Sequence, residues 1–306
     1  MSNENLIRYI QHNDIDAEKW QYCIDNSGNS RFYANEFHLD RAAVEWNALV
    51  WGDYEYVMPL PVRKKFGIKY IYQPIFCQQL GIFPEPSISK AKLFYETLYK
   101  IIRYADVHLN SVNPPVEKMQ NVSFIQRKHY LLLLQKSYPN IAADYSTNTK
   151  RNIKKAQKNN LQLIEGIRLE DYMAFKKNQI KAKFSQNDFK KLKNIIAYGQ
   201  YKGIGKIYGV YDNQNHLRAA VYFCRWKDRI IYLNAASDKT GKELRAMFYL
   251  LDQFIKMNAE KNIILDFEGS MIPGIAQFYE GFGALPETYF QLKFNRLPLF
   301  LKWLKR

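Results

Sequence analysis

From residue 205 onward the chain alternates short apolar runs with brief polar breaks. Gly205–Tyr211, Leu217–Trp226 and Arg229–Asn234 are separated only by Asp212-Asn213-Gln214-Asn215 and by Lys227-Asp228, apart from the flanking His216. Breaks this short can close a hairpin but cannot carry a crossover, so the three runs predict an antiparallel meander. The next segment, Leu244–Asn258, sets Leu244, Met247, Phe248, Leu251, Phe254 and Ile255 on one helical face. Ile263–Phe267 then reads as a strand, Ile272–Phe282 as a helix and Thr288–Phe294 as a last strand. Upstream stand a strand at Leu161–Ile164 and helices at Glu170–Ala182 and Asp188–Gly199. This order predicts two helices, a three-stranded meander and a βαβα unit, an α+β domain with a mixed, mainly antiparallel central sheet flanked by helices.

The first half shows a looser version of the same order. Asp16–Asp25 reads as a helix, Ala42–Val50 and Tyr54–Leu60 as adjacent strands around the Trp51-Gly52-Asp53 turn, with Pro59 and Pro61 ending the second. Ser89–Ala105 has helical spacing, with Ser87 or Ser89 as its cap. Tyr104–Leu109 and Phe124–Leu134 read as strands. At 306 residues and 47% apolar composition the chain can fill two cores. The expected division is residues 1–143 and 144–306.

Several classes fall away. The N-terminus is polar and soon acidic, so no signal peptide is expected. The longest wholly aliphatic run, Leu131–Leu134, is far short of the roughly 20 residues that span a bilayer. Cys23, Cys77 and Cys224 are too few and too distant for a disulfide framework, and the five histidines lack metal-ligand spacing. A cytoplasmic protein without a metal is expected. With no helix-turn-helix, RNA-recognition or zinc pattern, DNA is not expected as a partner.

The formal charge is +16. Ser146–Lys206 holds fifteen Lys and Arg against four Asp and Glu, a net of +11 in one fifth of the chain. At helical spacing Arg151, Lys154, Lys155 and Lys158 form one cationic stripe. Like charges so placed repel by a few tenths of a kcal/mol per pair. A solvated helix face or a bound anion would each account for them.

Phe278-Tyr279-Glu280-Gly281-Phe282-Gly283, on the final helix of the second-half order, resembles the GNAT acyltransferases. Thr149-Lys150-Arg151-Asn152-Ile153-Lys154-Lys155-Ala156-Gln157-Lys158 resembles the basic helix opening the second domain of the Fem-type peptidyltransferases. Asp266-Phe267-Glu268-Gly269-Ser270 with Pro273-Gly274-Ile275 resembles that group's C-terminal strand and helix. The resemblance implies two tandem GNAT-like domains. It implies transfer of an acyl or aminoacyl group onto an amine, with acyl-coenzyme A or aminoacyl-tRNA as the phosphate-bearing donor and a cell-wall precursor among the candidate acceptors.

By the same resemblance the donor would meet backbone groups of Asn234, Ala235 and Ala236 and of the helix start at Thr240, Gly241 and Lys242. Coenzyme-A-dependent members carry Gln or Arg-x-x-Gly-x-Gly or Ala there. This chain has Ser237-Asp238-Lys239-Thr240-Gly241-Lys242-Glu243-Leu244, which moves the reading toward the Fem group. The bland reading of the segment is a helix capped by Thr240 with Glu243 three residues on. Tyr279 is the candidate general acid. Glu268 and Asp266, two apart on a strand and so on one face, are candidate bases. Lys150, Arg151, Lys154 and Lys155 would bind substrate phosphate. The tail Leu297–Arg306 mixes bulky apolar residues with Lys302, Lys305 and Arg306, a pattern suited to weak contact with the inner face of a membrane. A non-catalytic protein binding nucleic acid or a membrane surface is the competing reading.

Overall fold

The computed structural model describes residues 7–117, 119–179 and 184–298. Two compact units are present: one ends at Arg127 and regains the chain at Thr288, and the other is Lys128–Glu287. The division expected at 143/144 falls inside the second.

The first unit runs β1 (Ile7–Ile10), α1 (Ala17–Asn26), α2 (Glu36–Ala42), β2 (Glu45–Trp51), β3 (Tyr56–Lys65), β4 (Ile68–Ile71), α3 (Ile88–Ile101) and β5 (Tyr104–His108). β6 (Ser123–Leu133) carries the chain into the second unit. There follow α4 (Tyr138–Ala143), α5 (Thr147–Gln157), β7 (Gln162–Glu165), α6 (Leu169–Gln179), α7 (Gln186–Tyr201), β8 (Gly205–Tyr211), β9 (Leu217–Trp226) and β10 (Arg229–Ser237). After these come α8 (Lys239–Glu243), α9 (Ala246–Asn258), β11 (Ile264–Gly269) and α10 (Pro273–Glu280). β12 (Leu285–Asn295) returns the chain to the first unit.

The two units repeat one plan. In the first, the strands lie in the order β1-β2-β3-β4-β5-β12, antiparallel apart from the parallel contact of β4 with β5. In the second, β7-β8-β9-β10-β11-β6 are antiparallel apart from parallel β10 and β11. From β1 in the first and from β7 in the second, the order is strand, two helices, a three-strand meander, then helix and strand, with α8 and α9 in the place of α3. The expected α+β architecture is present.

Local chemistry explains the boundaries. Ser87 caps α3 by accepting from the Lys90 amide, and Ser185 with Asp188 forms a reciprocal capping box on α7. Pro59 and Pro61 do not end β3, contrary to expectation. The Pro61 carbonyl accepts from the Tyr72 amide, on the side of β3 away from β2. The missing N–H groups therefore fall on that side, where β4 pairing begins only at Val62, and the β2 ladder continues past them. The helix expected to start at Leu244 starts at Ala246 instead. Arg245 adopts φ +63 and separates α8 from α9.

The core of the second unit sits between one sheet face and α5, α9 and α10. Phe223 and Phe254 stack at 3.7 Å, and Tyr232, Phe267 and Phe282 pack around them. No described helix is long and apolar enough to cross a membrane. Of the tail Leu297–Arg306, residues 299–306 lie outside the described residues.

Candidate active site

β10 and β11 pair in parallel over only three positions, Arg229↔Ile264, Ile230↔Leu265 and Ile231↔Asp266. Both strands continue past that point, β10 to Ser237 and β11 to Gly269. A bulge bends β10 where the pairing stops: Tyr232 opposes Phe223 and Asn234 opposes Tyr222, which leaves Leu233 extra. The strands part into a V, and backbone groups on the open edge of β10 lose their ladder partners. A cleft of about 570 Å³ fills the opening. Its walls are Leu233, Asn234 and Ala235 of β10, Gly241, Lys242 and Arg245 around α8, Glu268 of β11, and Gly274, Ile275, Phe278 and Tyr279 of α10.

Tyr279 is 9% exposed and stacks on Phe267 at 4.8 Å between Tyr130 and Tyr232. Its hydroxyl makes no hydrogen bond to any described residue. Burial, then the negative charge of Glu268, pushes the phenol well above its ordinary range. The group therefore holds its proton at neutral pH, as a donor must.

Glu268 reaches the cleft and Asp266 does not, which corrects the expectation that both share a face. The ladder between β11 and β6 slips between Asp266 and Gly269, and Glu268 takes φ +61. That bulge breaks the two-residue alternation. Asp266 is buried, with Arg229 Nη1 at 3.2 Å and His129 Nδ1 at 3.7 Å. Its Oδ1 accepts from the Glu268 amide at 2.9 Å, fixing the turn that presents Glu268. Burial alone would raise its carboxyl, but His129 and Arg229 outweigh burial and hold it below the usual carboxylate range. Burial likewise opposes the charged form of His129, yet Asp266 and Glu287, the latter 2.5 Å from Nε2, raise it above the ordinary imidazole value.

The expected donor-binding residues divide. Asn234 and Ala235 line the cleft, each with a polar partner. The Tyr172 hydroxyl donates to Asn234 Oδ1 at 2.7 Å. Lys176 Nζ donates to the Ala235 carbonyl at 2.6 Å. Ala236 is buried and stands outside the lining. Gly241 and Lys242 line the cleft, and Thr240 does not. The cap of α8 is Asp238, which accepts from the Gly241 amide at 2.5 Å, rather than Thr240 paired with Glu243. Asp238 also accepts from Arg218 Nη1 at 2.8 Å. A carboxylate thus already takes the Gly241 amide at this helix start.

Lys176 escaped sequence reasoning because it looked like one cation among fifteen. Burial drops its ammonium to about 8. The signal available was its place four residues after Tyr172, which puts both on the α6 face that meets β10.

Lys150, Arg151, Lys154 and Lys155 are exposed on α5 and none lines the cleft. Lys150 Nζ donates to the Ala143 carbonyl, and Arg151 Nη2 to Asn148 Oδ1. Ile153 and Ala156 bury the opposite face of the helix. Gly281 is required by the approach of α10 to α5: a Cβ there would lie 2.5 Å from Thr149 Oγ1. In the first unit His12, Glu36 and Asp40 converge although the sequence separates them. His12 Nε2 is 3.1 Å from Asp40 Oδ1, an ion pair when the imidazole is protonated.

No family model matches the sequence, and no curated protein does. Solved structures do match. FemX superposes with a TM-score of 0.65 at 11% identity, over 98% of this chain and all of the other. L-PGS from Bacillus licheniformis gives 0.57 at 10%, over 94% of each chain. A GNAT-family acetyltransferase from Colwellia psychrerythraea gives 0.55 at 13%, over 95% of this chain and all of the other. With two units on one strand plan and a splayed β10–β11 pair, the chain has a Fem-like fold of the GNAT type.

Proposed function

We propose that the protein is an N-acyltransferase that moves an acyl or aminoacyl group onto an amine. The observation that carries this reading is the Tyr279 hydroxyl, bonded to no described residue, in the cleft between β10 and β11 that Glu268 also lines. The acceptor nitrogen attacks the donor carbonyl, a C–N bond forms, and the bond to the leaving oxygen or sulfur breaks. Glu268 takes the amine proton, directly or through water, and Tyr279 gives its proton to the leaving group. Open-edge amides of β10 near Leu233 are suited to polarising the carbonyl.

Aminoacyl-tRNA fits the donor role better than acyl-coenzyme A. Asp238 already occupies the start of α8, and its charge opposes a pyrophosphate there. The exposed lysines and arginine of α5 offer a cationic surface for a polyanionic donor or for a phosphate-bearing acceptor such as a cell-wall precursor. The test is amide formation by the purified protein from aminoacyl-tRNA and, separately, from acyl-coenzyme A, with a panel of amines and read by mass spectrometry. Turnover with aminoacyl-tRNA is expected. Turnover with acyl-coenzyme A alone would refute the donor assignment, and binding of neither donor would refute the transferase reading.

A further inference from the structure

The hairpin of β3 and β4 in the first unit takes no part in this chemistry. Its register is Val62↔Ile71, Arg63↔Tyr70, Lys64↔Lys69 and Lys65↔Ile68. The ladder of β3 with β2 ends at Val62, opposite Glu45. β5 meets β4 only at Ile71. Beyond Val62 and Ile71, therefore, the hairpin is a two-stranded finger with no described strand on either side.

The composition of the finger is unfavourable for a segment that serves only the fold. Phe66 at the tip is 71% exposed and adopts φ +49, a left-handed conformation that a bulky side chain rarely takes. Lys64 and Lys69 stand directly opposite each other, a destabilising like-charge pair. Arg63, Lys64, Lys65 and Lys69 are all exposed, and no carboxylate occurs from Tyr56 to Tyr72. Four cations around one protruding aromatic match an interface with anionic headgroups above an apolar layer. RNA fits less well. Base stacking needs open ring faces, whereas Lys65 Nζ lies over the Phe66 ring at 5.4 Å, Tyr70 packs edgewise on Tyr72 and Tyr104, and the Arg63 guanidinium covers Tyr72 at 4.0 Å.

We propose that the β3–β4 finger docks the protein on an anionic lipid surface, with Phe66 entering the interface and Arg63, Lys64, Lys65 and Lys69 on the headgroups. The proposal is independent of the transferase reading. Its test is sedimentation of the full chain with vesicles of phosphatidylcholine, alone or with phosphatidylglycerol. Binding is expected only to the anionic vesicles and should weaken with salt. At about fivefold per lysine, the double variant Lys64→Gln with Lys69→Gln should bind roughly 30-fold more weakly. Phe66→Ser should lose about tenfold or more. Both variants change exposed side chains, and a thermal midpoint no lower than the parent's confirms that they fold. Vesicle binding unchanged in either variant overturns the proposal, because binding then resides elsewhere in the chain. So does a loss confined to tRNA binding.

Discussion

Replacing Tyr279 with Phe separates chemistry from packing. The substitution removes one oxygen and leaves the ring between Tyr130, Tyr232 and Phe267. Because no described residue bonds the hydroxyl, no internal hydrogen bond is lost, and stability should stay within about 0.5 kcal/mol of the parent. Truncation to Ala, by contrast, would empty a ring site that is 9% exposed and cost about 3–5 kcal/mol. If the phenol donates a proton to the leaving group, Tyr279→Phe should lower turnover by about 10²–10⁴-fold, or roughly 3–5 kcal/mol of barrier. The assay pairs urea denaturation with single-turnover amide formation from aminoacyl-tRNA. A stable variant with unchanged turnover would refute the acid role. A variant losing more than about 1 kcal/mol would refute the premise that no described residue bonds the hydroxyl.

Three further outcomes follow from the same structure. Gly241→Ala places a Cβ 2.1 Å from the Arg218 carbonyl and should cost about 1–3 kcal/mol in chemical denaturation; a neutral result would deny the close approach. His129→Gln strips Asp266 of one cationic neighbour while Arg229 stays, and should cost about 1–3 kcal/mol. The folded pKa of His129 is raised, so its contribution is full below the ordinary imidazole value and is lost as pH rises through the folded one. That of Asp266 is depressed, so its contribution is lost as pH falls below the carboxylate range. The gap between parent and variant should therefore be widest between about pH 4 and 6.5, and a gap widening above that window would contradict the pairing. Lys176 has a folded pKa lowered from 10.5 to about 8, so its burial cost is full below pH 8 and fades as pH rises toward 10.5. Stability of the parent relative to Lys176→Met should rise across that interval in thermal denaturation, and a flat difference would place Lys176 in water.

The meander of the second half was legible because each strand is a short apolar run closed by a short polar break, and α9 because its apolar residues share one face. The doubled plan and the cationic face of α5 were within reach for the same reason. Tertiary structure decided the rest. Whether Asp266 and Glu268 face together depended on a bulge set by the register against β6, which their spacing does not encode. The cap of α8 went to Asp238 rather than Thr240 because Arg218, twenty residues away, helps hold that carboxylate. Lys176 became distinctive only when α6 laid it against the open edge of β10. Periodicity fixes which side of an element is apolar. It does not say where two parallel strands stop pairing, and here that parting creates the cleft.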